Sequence, residues 1–379
     1  MVNLLYDLKA TQPNVTGKRH GGGRYGEIVF KRMVERGIKF ACFYDSSRWL
    51  NPEIKTICES AQIPLFDLNA EALTDIVRKN GITRIYSALP DVLCINACNE
   101  VFGTIHGLRD LETPCDNIFY RYKFRMKDLI YFLVKKYFKP LYINIRKKQF
   151  SKRYINDSFN LITVSEHSRY ALYSYFPEFK NREIPVFYSP NTAEAGLDVC
   201  CKRDYEEKYF LLVSGNRWEK NNLRAIMAFD RLLTSGLIDK RIRMKVTGTT
   251  GDSYKYKLRN PDSFDMLGYV DDVSLEHLYA NAYAFVYPSL NEGFGYPPLE
   301  AMKYGVPVLA SPLSSITEIC GGAAIYYNPF SVEEIMNRLL MILRTDIHGD
   351  FSNKGIAQYQ YIKDRQNKDL DMLIDYIIK

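Results

Sequence analysis

Two glutamates eight residues apart, Glu292 and Glu300, are the first candidates for chemistry. They lie in the stretch NEGFGYPPLEAMKYGVPVLAS. Its consecutive prolines, Pro297 and Pro298, predict the start of a helix, because proline is tolerated in a helix only in the first turn. Glu292 then lies in the preceding loop, and Glu300 lies early in the helix.

The same stretch offers groups that bind anions and hydroxyls. Three amides precede the predicted helix and lie at its positive end, where anions bind; they belong to Gly293, Phe294 and Gly295. A carboxylate accepts hydrogen bonds from two neighbouring hydroxyls, so we expect Glu300 to bind a ribose and Glu292 to bind a sugar. The simpler alternative is that both carboxylates only stabilise the helix dipole.

A second candidate is the stretch HGGGRYG, in which Gly21, Gly23 and Gly26 form G-x-G-x-x-G. In a dinucleotide-binding fold this motif follows the first strand at once, but here about twelve polar residues intervene. Asp45, about twenty residues further on, has the position of a ribose-binding carboxylate. Three interpretations stay open: a flexible glycine loop that opens toward a ligand-binding cleft, a turn that needs glycine conformations, and a dinucleotide site.

Short apolar runs alternate with helical patterns along the chain, as a parallel sheet with crossover helices requires. The N-terminal half has the predicted strands VNLLYDL, IKFACFY, TRIYSAL, EVFGTIH and NLITVS, and the helices EIVFKRMVER and HSRYALYSYF. After the polar segment FYSPNTAEAGLDVCCKRDYEEK come the strands YFLLVSG, IRMKVTG, YAFVYPS, VPVLAS and AAIYYN, and the helices NNLRAIMAFDRLL, SLEHLYANA, PPLEAMKYG and VEEIMNRLLMIL.

These patterns predict an α/β protein of two Rossmann-like, doubly wound domains. We place the N-terminal domain at residues 1–190 and the C-terminal domain at residues 191–350, followed by a helical segment, 351–379, that packs back on the first domain. Ligands bind such sheets at the carboxyl ends of the strands, so we expect the active site in an interdomain cleft.

The composition excludes several classes of protein. No apolar run reaches the ~18 residues that span a bilayer, and the first residues do not resemble a signal peptide, so we expect a cytoplasmic protein. The eight cysteines show no paired C-x-x-C spacing. We therefore expect free thiols and no zinc site.

One segment, residues 121–153, supplies all of the net charge of +7, with twelve Lys or Arg against one Asp. Its cations are interleaved with Tyr, Phe, Leu and Ile at roughly helical intervals, and Pro140 divides it. Such a stretch fits an anionic membrane surface, with the cations among the headgroups. The alternatives are a solvated helix pair over the first domain and a phosphate-binding surface for nucleic acid, a partner that we do not expect.

The whole NEGFGYPPLEAMKYGVPVLAS stretch resembles the signature of the family four retaining glycosyltransferases, which have the GT-B fold of two facing Rossmann-like domains. The resemblance covers nearly all of the chain, because the earlier motifs occur in that family's order. It implies a bacterial polysaccharide or O-antigen enzyme that moves a sugar from a nucleotide-diphosphate sugar to a saccharide or polyprenyl-linked acceptor. Beyond this co-substrate it implies no cofactor and no required metal.

The resemblance also assigns individual residues. In VSGNRWEKNNLRAIMAFDRL it assigns Arg217 and Lys220 to the donor diphosphate, where cations stabilise the charge of the leaving group. In GTIHGLRD it assigns His106 to the donor sugar. LGYVDDVSLEHLYANA is similar to the segment that holds the base by main-chain contacts near Tyr269 and Val270.

The remaining assignments follow the same resemblance. Glu292 is placed with the catalytic residues, and the other donor-binding residues are Gly22, Gly23, Gly293, Phe294, Gly295 and Glu300. In ITVSEHSRYAL, Ser165 and Glu166 are expected either to cap a helix or to touch a ligand. The alternative function is an NAD-dependent dehydrogenase or sugar-nucleotide epimerase that uses Gly21–Gly26 and Asp45.

Overall fold

A computed structural model describes residues 2–13, 21–190 and 207–379. His20, Cys200, Cys201 and most of the predicted linker lie outside the described residues. The other cysteines are free thiols, as predicted: Cys42, Cys58, Cys94, Cys98, Cys115 and Cys320.

The described residues form two compact units. The first contains those within Met1–Leu108, Asn144–Thr192 and Lys363–Lys379, and the second contains those within Arg109–Ile143 and Ala193–Ile362. Residues 109–143 fall inside the predicted first domain, but they pack with the second unit. The end of the chain, from Lys363, packs with the first unit.

Each unit is built on a six-stranded parallel sheet, with the strand orders β3-β2-β1-β4-β5-β6 and β12-β11-β10-β7-β8-β9. All predicted strands are confirmed, and the predicted α/β class of two doubly wound sheets is confirmed with them. The strands are β1 Leu4–Asp7, β2 Ala41–Tyr44, β3 Leu65–Asp67, β4 Arg84–Ser87, β5 Glu100–Ile105, β6 Phe159–Thr163, β7 Tyr209–Leu212, β8 Arg243–Thr247, β9 Phe264–Gly268, β10 Ala284–Tyr287, β11 Val308–Ala310 and β12 Ala324–Tyr326.

Helices cover the sheets, so the central strands β7 and β10 are apolar and buried throughout, as in parallel sheets packed on both faces. The helices are α1 Gly21–Glu35, α2 Pro52–Ser60, α3 Leu73–Lys79, α4 Val92–Ala97, α5 Arg109–Glu112, α6 Met126–Tyr137, α7 Lys139–Tyr154, α8 Glu166–Tyr175, α9 Asn222–Thr234, α10 Asp272–Asn281, α11 Tyr296–Lys303, α12 Ile316–Cys320, α13 Val332–Met341 and α14 Thr345–Ile378.

Helix α1 begins at Gly21, so the glycines of the G-x-G-x-x-G motif lie inside a helix. The predictions of a flexible loop and of a glycine turn are therefore wrong for these residues. The close packing of Tyr6 and Thr11 against α1 explains why residue 26 is a glycine. The Tyr6 hydroxyl donates to the Gly26 carbonyl at 2.6 Å, and a Cβ there would lie 2.8 Å from Thr11 Cγ2. Helix packing, rather than backbone freedom, requires this glycine.

Polar contacts of α8 and α14 stabilise the first unit. The Ser165 side chain accepts from the Ser168 amide at 3.1 Å, so the alternative of a cap for α8 is confirmed. On α14, Asp371 binds the Arg32 guanidinium through two contacts of 2.8 Å. Asp369 accepts from the Tyr188 amide at 2.9 Å.

Asp7 ends β1 and is buried at 2% exposure. It accepts from the Ser87 hydroxyl at 2.6 Å and from the Ala10 amide at 3.0 Å. Burial raises its pKa from 3.8 to about 6 because it outweighs these hydrogen bonds. The folded protein therefore binds a proton at Asp7 more tightly than the unfolded chain does.

Asp7→Asn is expected to make the protein more stable above about pH 6, by up to ~3 kcal/mol, and to have little effect below about pH 4. The raised pKa means that the wild type loses stability as the pH rises between these values. Urea unfolding at both pH values measures it. Asp230→Asn is the matched control, because hydrogen bonds hold the pKa of this other buried carboxyl low. An equal effect of Asp7→Asn at both pH values would contradict the assignment.

Candidate functional site

Glu292 and Lys220 form a buried ion pair in the second unit. Lys220 Nζ donates to Glu292 Oε1 at 2.6 Å and lies 3.0 Å from the Tyr287 hydroxyl. Both charged side chains belong to residues that are only 7% exposed. Lys220 precedes α9 and Glu292 follows β10. Because β7 and β10 are neighbours in the sheet, the loops at their carboxyl ends meet.

Two further side chains complete this charge cluster. The Ser289 hydroxyl donates to Glu292 Oε1 at 2.5 Å. Arg109, at the start of α5, places Nη2 at 3.6 Å from Glu292 Oε2 and keeps 41% of its side chain exposed. Neither residue was predicted from the sequence. For Arg109 a signal existed, since it stands three residues after His106 in the quoted GTIHGLRD.

The cluster holds Glu292 in its charged form. Burial raises the pKa of Glu292, but the positive charges of Lys220 and Arg109 and the hydrogen bonds from Lys220 and Ser289 outweigh burial and lower it to about 2. Burial lowers the pKa of Lys220, although Glu292 opposes this. Glu292 is thus an acceptor of hydrogen bonds and not a proton donor at neutral pH.

The loop that carries Glu292 is fixed by backbone contacts. The Ser315 hydroxyl donates to the carbonyls of Glu292 and Phe294 at 3.1 and 2.7 Å. Gly295 has φ of 116°, which favours glycine, and α11 follows it with both prolines in its first turn. Phe294 is 4% exposed and Gly293 is half-buried. The predicted helix start and the loop position of Glu292 are confirmed.

The loop that carries Lys220 is fixed against its neighbour. Asn221 adopts a left-handed conformation, with φ of 58°. Its amide donates to the carbonyls of Pro288 and Pro329 at 3.2 and 2.7 Å. Arg217 is half-buried in this loop, and its charge contributes to lowering the pKa of Lys220. The two predicted cations therefore act on each other electrostatically.

The remaining predicted residues of this unit lie on α11 and before α10. Glu300 is half-buried on α11 and hydrogen-bonds the buried Tyr279 of α10. Tyr269 and Val270 follow β9 directly, and Tyr269 is 73% exposed. The backbone there is presented at the carboxyl end of a strand, as the prediction of main-chain contacts to a base requires.

His106, Gly22 and Gly23 belong to the first unit. His106 follows β5, with Nε2 at 2.9 Å from the Ala88 carbonyl, and its ring packs edge-on against Tyr25 at 4.8 Å. Gly22 and Gly23 lie in the first turn of α1. The contacts that we predict between these residues and a donor stay predictions.

The described parts of the chain contain no candidate metal cluster and no candidate membrane span. Across residues 2–13, 21–190 and 207–379, His, Cys, Asp and Glu form no group of three that could hold a metal ion. Within the same ranges no helix has the length and apolarity needed to cross a bilayer. Asp45, the carboxylate of the dinucleotide alternative, accepts from the Ser47 amide at 3.0 Å and from Asn69 at 2.9 Å.

Two six-stranded parallel sheets with flanking helices define a GT-B fold, so the predicted fold class is confirmed. Anabaena HepE in complex with UDP-glucose is a structural neighbour, with a TM-score of 0.63 at 14% identity, covering 98% of this chain and 99% of that one. At this identity the likeness shows the fold alone.

Sequence comparison relates part of the chain to a family of glycosyltransferases. Residues 202–354 match the family model of glycosyl transferases group 1. A relative, O-antigen chain mannosyltransferase B of Escherichia coli, is 32% identical over 52% of this chain and 55% of its own length. O-antigen chain mannosyltransferase RfbU of Salmonella typhimurium is 31% identical over 33% of this chain and 35% of its own length. The matches thus span about half or less of these relatives.

The match over residues 202–354 contains Arg217, Lys220, Glu292 and Glu300, the residues on which the resemblance was first based. The family model thus covers the part of the chain that holds these four residues, and the predicted resemblance is confirmed.

Proposed function

We propose that the protein is a retaining glycosyltransferase that moves a sugar from a nucleotide-diphosphate sugar to a saccharide or polyprenyl-linked acceptor in bacterial surface polysaccharide synthesis. The observation that carries the proposal is the buried ion pair of Lys220 and Glu292 before the start of α11, with the half-exposed Arg109 beside it. The names of the two relatives, both O-antigen mannosyltransferases, favour mannose as the sugar.

Each residue has a role in this proposal. Lys220 and Arg217 bind the donor diphosphate and neutralise the charge that grows on it as the glycosidic bond breaks. Glu292, held as a carboxylate at a pKa of about 2, accepts hydrogen bonds from the donor sugar. Glu300 accepts hydrogen bonds from the ribose, and the backbone near Tyr269 and Val270 holds the base.

The proposed reaction is front-face substitution. The bond from the sugar to the diphosphate breaks, the acceptor oxygen bonds to the same face of the sugar, and a leaving phosphate oxygen takes the acceptor proton. Glu292 does not attack the sugar, and the reaction requires no metal. We place the enzyme in the cytoplasm at the inner face of the plasma membrane, where a polyprenyl-linked acceptor would be anchored.

A thermal-shift panel tests the function. Nucleotide sugars, bare nucleoside diphosphates and NAD are each added to the full chain. The true donor should stabilise the protein by about 2.7 kcal/mol at a hundredfold excess over Kd. GDP-mannose and UDP-glucose are the first two donors to compare. Stabilisation by NAD alone would favour the dehydrogenase alternative and contradict the proposal.

Glu300→Ala is expected to weaken binding of the bare nucleoside diphosphate roughly 10- to 150-fold, because a lost pair of hydrogen bonds to a charged acceptor costs about 1.5–3 kcal/mol. Isothermal titration measures the Kd. Tyr279→Phe is the matched control, because it removes the hydroxyl that bonds Glu300 and keeps the carboxylate. Wild-type affinity in Glu300→Ala would remove the proposed ribose contact.

A further inference from the structure

One face of α6 is apolar and exposed, and it continues through Phe138 into the first turn of α7. Apart from Phe138, its residues recur every three or four positions, as one face of a helix does. Each exposes between 40% and 69% of its surface. We call this surface the α6 stripe; it consists of Met126, Ile130, Val134, Tyr137, Phe138 and Leu141.

The opposite face of α6 fixes the orientation of the stripe. Phe132 is 2% exposed. Its ring stacks on Phe119 at 4.1 Å and meets Trp218 edge-on at 5.7 Å. All three residues belong to the second unit, as does the stripe. The helix is therefore anchored by its inner face, and the stripe is a stable surface feature.

Exposed cations precede the stripe along the chain and recur within it. They are Lys123, Arg125, Lys127 and Lys139. The single acid of the segment, Asp128, lies 3.2 Å from Arg125. Lys135 is 7% exposed, and burial lowers its pKa, so it does not add to this surface charge. An apolar stripe bordered by cations matches an anionic lipid interface in both charge and polarity.

The rest of the basic segment packs against other residues of the first unit. From Asn144 onward α7 belongs to the first unit. There Phe150 stacks on Phe176 at 4.3 Å, and the Tyr154 hydroxyl donates to the Pro90 carbonyl at 3.0 Å. The aromatic residues of this part are therefore turned to protein, unlike those of the stripe.

We infer that the α6 stripe inserts into the interface of an anionic bilayer, with the neighbouring cations among the lipid headgroups. The surface is narrower than the segment 121–153 that the sequence indicates. The inference deepens the proposed function. It rests on that function only in one respect, which is that the acceptor is anchored in a membrane. Binding to lipid is measured without any transfer reaction, so the two can fail separately.

Co-sedimentation of the full chain with vesicles tests the inference. Wild type should bind phosphatidylcholine vesicles that contain phosphatidylglycerol, and should bind pure phosphatidylcholine much less. Lys127→Gln with Lys139→Gln should weaken binding about 30-fold, since each cation near the surface contributes about 1 kcal/mol. Ile130→Gln with Phe138→Gln should weaken it roughly 100-fold or more, because two apolar side chains lose their burial.

Two control variants carry the same types of substitution at residues outside the stripe. Lys208→Gln with Lys240→Gln removes two other exposed cations. Leu237→Gln with Val273→Gln removes two other exposed apolar side chains, at 57% and 65% exposure. Both controls should bind anionic vesicles like wild type. The inference is overturned if wild type ignores anionic vesicles, or if controls and stripe variants bind alike. It is also overturned if the stripe variants only convert a dimer to a monomer in analytical ultracentrifugation.

Discussion

Lys220→Ala is expected to lower turnover about 100-fold or more, because removing one preorganised group that stabilises transition-state charge costs about 2.7–4 kcal/mol. Lys220 is held in place by Glu292 and the Tyr287 hydroxyl, so its ammonium needs no reorganisation during the reaction. Arg217→Ala should act in the same direction. Steady-state rates of nucleoside diphosphate release measure both variants.

The second unit offers a closely matched control for this variant. Lys245 lies 3.0 Å from Glu207 and 4.2 Å from the centre of the Tyr209 ring. It thus has the same kinds of partner as Lys220, on a strand of the same sheet. Lys245→Ala should leave turnover near that of wild type. A Lys220→Ala enzyme with normal turnover would contradict the proposed role of Lys220.

Glu292→Ala is expected to reduce turnover and sugar binding more than binding of the bare nucleoside diphosphate. The carboxylate is proposed to bond the sugar, whereas Glu300 is proposed to bond the ribose. The variant should also lose about 3–5 kcal/mol of stability, because it leaves the buried charge of Lys220 without its partner. Glu292→Gln keeps the side-chain shape and separates the loss of charge from the loss of packing.

Titration with the bare nucleotide and with the donor sugar, together with urea unfolding, measures these effects. Asp265→Asn is the control for a lost ion pair, because Asp265 pairs with Arg243 at the edge of the same sheet. Equal losses of bare-nucleotide affinity in Glu292→Ala and Glu300→Ala would remove the proposed division of roles between the two glutamates.

Local patterns predicted much of the fold. Continuous apolar runs identified the buried strands, and paired prolines placed the start of α11 and the loop of Glu292. β3 was missed, because three half-buried residues are too few to show a periodicity. The motif at Gly21–Gly26 was misassigned because glycine patterns suggest turns. A close contact with Thr11 and Tyr6 is invisible to a sequence pattern.

The charge cluster was predicted only in part. Lys220 and Glu292 were each found from a local motif, but their ion pair depends on the adjacency of β7 and β10 in the sheet. Arg109 contacts Glu292 because residues 109–143 pack with the second unit. Its place three residues after His106 indicated a candidate residue, but no local pattern predicts that this segment packs with the second unit. The α6 stripe was also predicted only in part. The composition predicted the positive charge of the segment, but the packing of α6 determines which of its faces is exposed.

The most direct test of the proposed glycosyl transfer is transfer itself. The full chain is incubated with the nucleotide sugar that gives the largest thermal shift and with a saccharide acceptor, and mass spectrometry follows the acceptor. The proposal predicts that wild type adds one sugar per released nucleoside diphosphate, that Lys245→Ala does the same, and that Lys220→Ala is slower by about 100-fold or more. An acceptor that gains no sugar from any stabilising donor, or that gains it equally fast with Lys220→Ala, would contradict it.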